Sequence, residues 1–323
     1  METLYSFFVQ PFNEIAASPV FFLEVLIGGL LTGVMYSLVA LGFVLIFKAS
    51  GVFNFAQGAM VLFAALTLTG LIELGVNTWL ALIISVGIMI LLALSIERVV
   101  LRPLVNQPAI TLFMATIGIS YFLDGFGQTI WGSEVKTMDL GLPQDSWEVG
   151  TEFFQQFDPN SFGVLLNQFD VIAAVSAAML VAVLGVFFHY TRIGRALRAV
   201  ADDHQAAMSI GIPLKNIWAI VWSVAGIVGL VAGIMWGSKL GVQFSLSLIA
   251  LKALPVLILG GFTSIAGAIV GGLIIGVGEK VAEIYWGPVL GGGIEDWFAY
   301  MLALLFLVFR PQGLFGDKII ERI

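Results

Sequence analysis

The chain has 323 residues, of which 59% are hydrophobic and only 11% are charged, and its mean hydropathy is +1.03. A soluble domain carries about a quarter of its residues as Asp, Glu, Lys and Arg, so this composition excludes a soluble protein and requires a lipid bilayer to cover the apolar surface. The net charge of -7 argues against a nucleic-acid partner, and the absence of cysteine excludes disulfides and thiolate metal sites. His189 and His204 are the only histidines, so we expect no metal centre and no cofactor.

The N-terminal segment from Met1 to Ser18 does not have the pattern of a cleavable signal, because it contains Glu2 and Glu14 and lacks a basic start. We expect a short amphipathic lead-in there. A membrane-spanning helix needs about 20 apolar residues. Such runs predict nine spans, near residues 22–47, 54–74, 78–97, 110–131, 170–190, 217–238, 247–262, 264–285 and 295–310. The seventh is short and contains Pro255, which predicts a broken or re-entrant helix.

Basic residues collect on one side of the predicted spans, and that side is expected to face the cytoplasm. If the spans alternate, this side receives ten of the fourteen: Lys48, Arg98, Arg102, Arg192, Arg195, Arg198, Lys215, Arg310, Lys318 and Arg322. The opposite side receives the loop 132–169, whose acidic residues, set against the single Lys136, are Glu134, Asp139, Asp145, Glu148, Glu152 and Asp158. We expect this loop to be external, as a solvated connector or a docking segment. The C-terminus is then cytoplasmic and the N-terminus external.

Glycine accounts for 37 residues and is concentrated inside the predicted spans, most clearly at 28–33 and 267–276. Small residues let membrane helices approach closely, so this pattern is typical of helix packing, and the alternative is a surface that lines a solute path. Ionisable residues inside the spans are few and form no series of carboxylates across the membrane. A proton-coupled carrier would need such a series, so we expect the energy for transport to come from another subunit.

The loop 191–216 separates the fifth and sixth predicted spans. Read as a helix, it places Ile193, Leu197 and Val200 on one face, and Gly211 then stops the helix. A short, alanine-rich helix of this kind suits the groove of a soluble partner. The alternative is a basic amphipathic helix that lies on lipid headgroups.

Four stretches together resemble the permease subunits of ABC importers of the branched-chain amino acid type. The pattern Gly-Arg-Ala-x-Arg-Ala-x-Ala-x-Asp at 194–203, ending in Gly-Ile at 211–212, looks like the coupling loop of that family. The stretch 33–47 with Gly-Val-Phe-Asn-Phe-Ala-Gln-Gly at 51–58 is similar to the first-span pattern, and 116–120 resembles the fourth-span turn. The stretch 260–272 and the terminal 310–316 match the C-terminal half. Many members carry His where this chain has Gln57.

The resemblance implies one transmembrane permease domain over 1–323, an all-α polytopic helical bundle of about eight to ten spans of the type II ABC importer-like kind. It also implies a subunit that is not itself an enzyme, and the chain contains no Gly-x-x-x-x-Gly-Lys-Ser/Thr phosphate loop. The implied partners are two cytoplasmic ATP-binding subunits, a second permease that is homologous or identical, and a periplasmic or extracellular solute-binding protein.

Two sets of residues follow as site predictions. The residues expected to couple to the ATPase are Gly194, Arg195, Ala196, Arg198, Ala199, Asp202 and Gly211. The residues expected on the substrate pathway are Asn54, Gln57, Gly58, Thr116 and Ser120. Amides and hydroxyls offer hydrogen bonds to a solute, and glycine permits a break in the helix beside a cavity. The alternatives are that Asn54 caps the second span and that the hydroxyls bond only to their own helix.

The function implied is import of branched-chain or other hydrophobic amino acids across the inner membrane of a bacterium or archaeon. Permeases for urea or short amides are the nearest alternative, and a stand-alone channel or ion-coupled carrier is another. A membrane enzyme would need a cluster of His, Asp or Glu at one face, and Asp202, Asp203 and His204 are the nearest approach to one.

Overall fold

The computed structural model describes residues 2–104, 107–156, 162–202 and 204–316. Asp158, Asp203, Lys318 and Arg322 therefore lie outside the described residues, as does the side chain of Asp202. Fourteen α-helices are present in the described part of the chain: α1 (Glu2–Phe8), α2 (Gln10–Ala17), α3 (Pro19–Ser50), α4 (Gln57–Glu73), α5 (Thr78–Ser95), α6 (Ala109–Trp131), α7 (Thr151–Phe154), α8 (Gln168–Tyr190), α9 (Arg192–Asp202), α10 (His204–Ser209), α11 (Leu214–Leu240), α12 (Ile249–Gly260), α13 (Ile265–Leu290) and α14 (Phe298–Phe309). Strands β1 (Ser146–Val149) and β2 (Val164–Asn167) pair in antiparallel fashion.

Each of the nine predicted spans corresponds to an apolar helix in the structure. Six helical segments within the described residues are long and apolar enough to cross a membrane: Pro19–Ser50, Thr78–Leu104, Ala109–Trp131, Gln168–Tyr190, Leu214–Leu240 and Ile265–Leu290. The other three are shorter: Gln57–Glu73, Phe244–Gly260 and Phe298–Phe309. The fold is therefore an all-α, multi-pass membrane bundle, as predicted.

The short helices correct two details of the prediction. Pro255 does not break the seventh segment; it lies inside α12, which is extended at its start by a 3₁₀ turn over Phe244–Leu248. The second segment begins at Gln57 rather than 54, because Gly51 adopts a left-handed conformation (φ 68°) that ends α3, and the chain is non-helical until α4. Composition alone does not distinguish a buried apolar turn from a helix.

The helix ends form two distinct faces of the bundle. At one face, the Trp218 side chain of α11 donates a hydrogen bond from Nε1 to the Ala49 carbonyl of α3 at 3.0 Å. The ring centroids of Phe47 and Phe262 lie 5.5 Å apart at the same face. The C-terminal stretch joins the same face, since the Leu314 amide donates to the Leu259 carbonyl at 2.8 Å. This end, which we call the basic end, carries the described basic residues of the predicted cytoplasmic side: Lys48, Arg98, Arg102, Arg192, Arg195, Arg198, Lys215 and Arg310.

The loop 132–169 lies at the opposite end, as the alternation of spans predicts. Lys136 forms an ion pair with Glu73 at the end of α4, and its backbone pairs with Val242. Lys239 at the end of α11 forms an ion pair with Asp170 at 2.6 Å. Through Lys136 the loop is attached to the end of α4 and to Val242, two residues after the end of α11.

The hairpin of β1 and β2 within this loop is held by Glu148. Its carboxylate accepts a hydrogen bond from the Gly163 amide at 3.0 Å and one from the Thr151 hydroxyl at 3.0 Å. The Gly163 amide is the main cause, and the Thr151 hydroxyl the second, of a pKa of Glu148 below its ordinary value. The contribution of this carboxylate to hairpin order is therefore present at neutral pH and is lost as the pH falls through the lowered pKa.

Glycine packing joins α3 to α13 at the centre of the bundle. A Cβ added to Gly33 would lie 2.6 Å from the Gly272 carbonyl oxygen, and one added to Gly276 would lie 2.5 Å from the Gly33 backbone. The glycine-rich stretch 267–276 therefore packs against a neighbouring helix, as small residues in membrane helices do.

A partly buried ion pair lies where α5 ends at the basic end. The helix continues as a π turn over Ile96–Leu101, and Arg102 then bonds to Glu97 through Nε at 3.1 Å and Nη2 at 2.9 Å. The Glu97 side chain is 3% exposed and that of Arg102 is 44% exposed. The bidentate contact neutralises a carboxylate that water does not reach.

Candidate functional site

Two arginines of α9 hold this helix to the end of α8. The four terminal carbonyls of a helix have no partner within it. Arg198 donates from Nη1 to the Phe188 carbonyl at 2.7 Å and from Nη2 to the His189 carbonyl at 3.2 Å. Arg195 donates from Nη1 to the Tyr190 carbonyl at 3.3 Å. Both guanidinium groups therefore cap α8 and complement the negative end of its dipole.

Gly194 permits the close approach that these bonds require. A Cβ at this position would collide with the carbonyl of Phe188, so only glycine allows α9 to contact the α8 backbone. The Gly194 amide donates to the Thr191 hydroxyl at 3.1 Å, and Leu197 and Val200 are buried beneath the helix. The apolar face predicted from the sequence is thus confirmed for these two residues, and α9 is joined to the end of α8 by direct contacts.

The exposed part of this loop lies farther along the chain. Met208 is 44% exposed and Ile210 is 76% exposed, and both lie on the turn that Gly211 completes with a φ of 86°. Ala196 and Ala199 are half-buried. Apolar side chains exposed at the basic end of a membrane protein are candidates for contact with a soluble partner.

A groove of about 400 Å³ opens on the flank of the bundle between α6 and α12. A cavity of this size is within the range of small-molecule sites. One wall comes from α6, through Ile117, Ser120, Tyr121 and Asp124. The other wall comes from the start of α12 and the 3₁₀ turn before it, and its residues are Ser247, Leu248, Ala250, Leu251 and Leu254.

The floor of the groove is aromatic. Phe43, Phe53, Phe55 and Ala59 line it. Phe43 and Phe53 stack with their ring centroids 4.6 Å apart, and Phe53 meets Phe55 edge to face at 4.7 Å. Such ring pairs stabilise one another beyond the burial of their surface, so the floor is a preformed apolar platform.

The predicted pathway residues lie on both sides of this floor. Ser120 lines the groove, whereas Asn54 and Gln57 are fully buried behind it. Asn54 accepts a hydrogen bond from the Ala56 amide at 3.1 Å, two residues ahead, which forms a turn before α4. Gln57 donates from Nε2 to the Ala225 carbonyl at 3.5 Å. Gly58 contacts the Ser247 carbonyl directly and leaves no room for a Cβ. In the structure, these three buried residues shape the turn and its packing.

Thr116 fixes the same turn from α6. Its hydroxyl accepts a hydrogen bond from the Phe55 amide at 3.2 Å and donates to the Phe113 carbonyl at 2.8 Å. The side chain is therefore placed to hold the aromatic floor against the wall of the groove. Its bonding is not confined to its own helix, because the hydroxyl also contacts the turn at the Phe55 amide and, at 3.4 Å, at the Phe53 carbonyl.

We expect Thr116→Val to destabilise the protein by about 1–2 kcal/mol, because it leaves the Phe55 amide without its partner at nearly constant side-chain volume. Uptake of solute should fall by a few-fold, about two to five times, as the floor loosens. Thermal unfolding of the purified protein and solute uptake in proteoliposomes measure the two effects. Thr116→Ser retains the hydroxyl and should behave as wild type. Equal loss in both variants would contradict the role of the hydrogen bond.

Asp124 and the aromatic floor were not assigned to a site from the sequence. Asp124 is one ionisable residue within a span, and its relation to Ser120 four residues earlier places both on one face of α6. That spacing can be read from the sequence. The convergence of Phe43, Phe53 and Phe55 cannot, because these rings meet only when the turn before α4 has folded.

Comparison with known proteins agrees with this architecture. The profile of the family described as "Branched-chain amino acid transport system / permease component" matches residues 25–310. BraD of Pseudomonas aeruginosa, a high-affinity branched-chain amino acid transport system permease, is 30% identical over 94% of this chain and 98% of its own length. LivH of Escherichia coli, a permease of the same description, is 28% identical over 94% of this chain and 98% of its own length. The fructose import permease FruG of Bifidobacterium longum is 24% identical over 96% of this chain and 94% of its own length.

The family consists of membrane permease components of ABC transporters, which are not catalytic enzymes. Together with the six apolar helices of the bundle, the relatives indicate a multi-pass protein of the inner membrane. The match extends over most of the chain and includes α3, α9 and α13. The chain therefore belongs to the permease-component family of branched-chain amino acid transport systems.

Proposed function

We propose that this chain is the permease subunit of an ATP-driven importer that carries branched-chain or other hydrophobic amino acids into the cell. The observation that carries the proposal is the junction of α8 and α9 at the basic end. There, Arg195 and Arg198 donate hydrogen bonds to three terminal carbonyls of the apolar helix α8, so that a displacement of α9 would displace α8 as well.

The proposed orientation places the basic end in the cytoplasm, following the distribution of lysine and arginine. The described C-terminal residues then lie inside, and the loop 132–169 faces the external solute-binding protein. Two ATP-binding subunits would meet the basic end, with Met208 and Ile210 as apolar contacts and Gly194 and Arg198 transmitting the movement. The remaining predicted coupling residues, Arg195, Ala196, Ala199, Asp202 and Gly211, stay part of this proposal.

The energy would come from the partner subunits, because ionisable residues inside the spans are few and form no series of carboxylates across the membrane. Lys252 of α12 forms an ion pair with Asp296 at 3.0 Å and lies 3.9 Å from Glu295. Rigid-body movement of one helix unit against another is a common way to open and close a membrane path. A second permease, identical or homologous, would cover the open side of the groove between α6 and α12.

The groove supports a hydrophobic amino acid as the solute. Three phenylalanine rings and the leucines of α12 offer apolar contact to a branched side chain, and BraD and LivH carry the matching description. Urea or a short amide has no apolar part to fill such a floor. Asn54, Gln57, Gly58, Thr116 and Ser120 remain the proposed pathway residues, with the first four acting through the turn that shapes the floor.

The test reconstitutes the chain with its ATPases, partner permease and solute-binding protein in liposomes. The expected result is uptake of labelled leucine against a gradient that requires ATP and the binding protein, with little uptake of urea. Accumulation of urea in place of leucine would show a different substrate class. Solute flux by the chain alone, driven only by a gradient, would overturn the proposal in favour of a channel or carrier.

A further inference from the structure

The groove between α6 and α12 contains, among the described residues, one carboxylate with an oxygen atom that accepts no hydrogen bond. The Oδ1 atom of Asp124 is buried and receives no hydrogen bond from the described residues. No described lysine, arginine or histidine lines the groove, and Asp124 takes part in none of the ion pairs of the described chain. A carboxylate within a span costs free energy unless a positive group or hydrogen-bond donors meet it.

The surroundings of Asp124 identify the kind of group that fits. Ser120 lies one helical turn earlier and offers a hydroxyl on the same wall, while Phe43, Phe53 and Phe55 form the apolar floor. A primary ammonium has three donors and a positive charge, so it can give the unpartnered Oδ1 atom a charge-assisted hydrogen bond. The floor then receives an apolar chain attached to the ammonium carbon.

We infer that Asp124 binds the α-ammonium group of the transported solute and that the phenylalanine floor holds its side chain. This inference rests on the proposed function and deepens it by naming the recognition of the amino group. The groove is then selective for amphiphiles that combine an ammonium with an apolar tail, and it rejects solutes that lack the positive charge.

Other unpartnered polar atoms do not compete for this role. Glu279 of α13 also has a buried carboxylate oxygen without a hydrogen bond from the described residues, but it does not line the groove. Ser247 lines the opposite wall, and its hydroxyl already donates to the Phe244 carbonyl at 2.8 Å. Asp124 is therefore the anionic group of this cavity among the residues that the structure describes.

The test measures binding of labelled leucine to the assembled permease and ATPase complex without the solute-binding protein, so that only the permease selects. Two leucine analogues serve as competitors: isoamylamine, which keeps the ammonium and loses the carboxylate, and 4-methylpentanoate, which keeps the carboxylate and loses the ammonium. We expect isoamylamine to displace leucine and 4-methylpentanoate to fail. Displacement by 4-methylpentanoate at equal concentration would overturn the inference, and this result does not depend on any variant.

Substitution gives an independent arm. Asp124→Asn should weaken leucine binding by about tenfold or more, because a charge-assisted bond is replaced by a neutral one. Gln128→Ala, an exposed position one turn later on α6, is the matched control and should bind as wild type. Unchanged leucine affinity in Asp124→Asn would overturn the inference. If the wild-type complex still took up leucine in an ATP-driven manner, the proposed function would stand. Uptake of urea instead of leucine by the wild-type complex would remove both.

Discussion

If α9 couples the chain to ATP-binding subunits as proposed, replacing Gly194 by alanine is expected to lower ATP-driven uptake. The added Cβ meets the backbone carbonyl of Phe188, which cannot rotate away as a side chain could. The α9 helix must then move from α8, and the bonds of Arg198 to Phe188 and His189 lengthen or break. We expect a loss of about 2 kcal/mol in stability and a fall of about tenfold in ATP-driven uptake. Thermal unfolding of the complex and leucine uptake in liposomes measure the two quantities.

Gly185→Ala is the matched control for this experiment. It is the same substitution in a helix, nine residues earlier on α8, and no heavy atom lies within 4 Å of the added Cβ. Alanine has the higher helix propensity, so this variant should be neutral or slightly more stable. If Gly194→Ala and Gly185→Ala show the same uptake and the same unfolding midpoint, the junction of α8 and α9 does not transmit movement.

Replacing Arg102 by leucine is expected to give the largest loss of stability. The variant leaves the Glu97 carboxylate, which is 3% exposed, without its bidentate partner. Only the carboxylate of this pair is buried, since Arg102 is half-exposed, and loss of its partner leaves that charge out of water at a cost of about 2–3 kcal/mol. The midpoint of thermal unfolding should fall by about 5 °C or more in a chain of this size.

Two further variants separate the buried charge from the loss of a basic residue at this end. Arg98→Leu removes the same charge from an exposed position, at which the described structure shows no ion pair, and it should leave the midpoint nearly unchanged. The double variant Glu97→Met with Arg102→Leu removes both charges and should recover most of the stability. If the double variant is as unstable as Arg102→Leu, packing rather than charge accounts for the loss.

Much of the bundle could be predicted from composition and periodicity. A bilayer requires every span to be a long apolar helix, so each of the nine apolar runs became a helix. The exact start of α4 could not be predicted, because residues 51–56 are as apolar as the spans beside them. The turn is set instead by the left-handed conformation of Gly51 and by Asn54, whose side-chain oxygen Oδ1 accepts a hydrogen bond from the Ala56 amide.

The candidate site was only partly accessible to sequence reasoning. The loop 191–216 and the residues of its first helix were predicted to be a coupling segment from their pattern and their resemblance to a family. The pattern does not show, however, that Arg198 faces the end of α8, because this orientation depends on where the terminal carbonyls lie. Likewise, Ser120 was named from the sequence, whereas the apolar floor opposite it comes from residues 43–55 and requires the folded turn.

The sequence by itself determined that this protein is embedded in a membrane, how many apolar helices the bundle contains and which helix ends carry the basic residues. These properties follow from transfer of apolar and charged groups between water and lipid, which depends on local composition. Only the tertiary structure decided which buried polar groups have a hydrogen-bond partner among the described residues and which do not. Hydrogen bonds and cavities depend on residues far apart in the chain, as when Thr116 bonds to Phe55 and when the Oδ1 atom of Asp124 receives no hydrogen bond from the described residues.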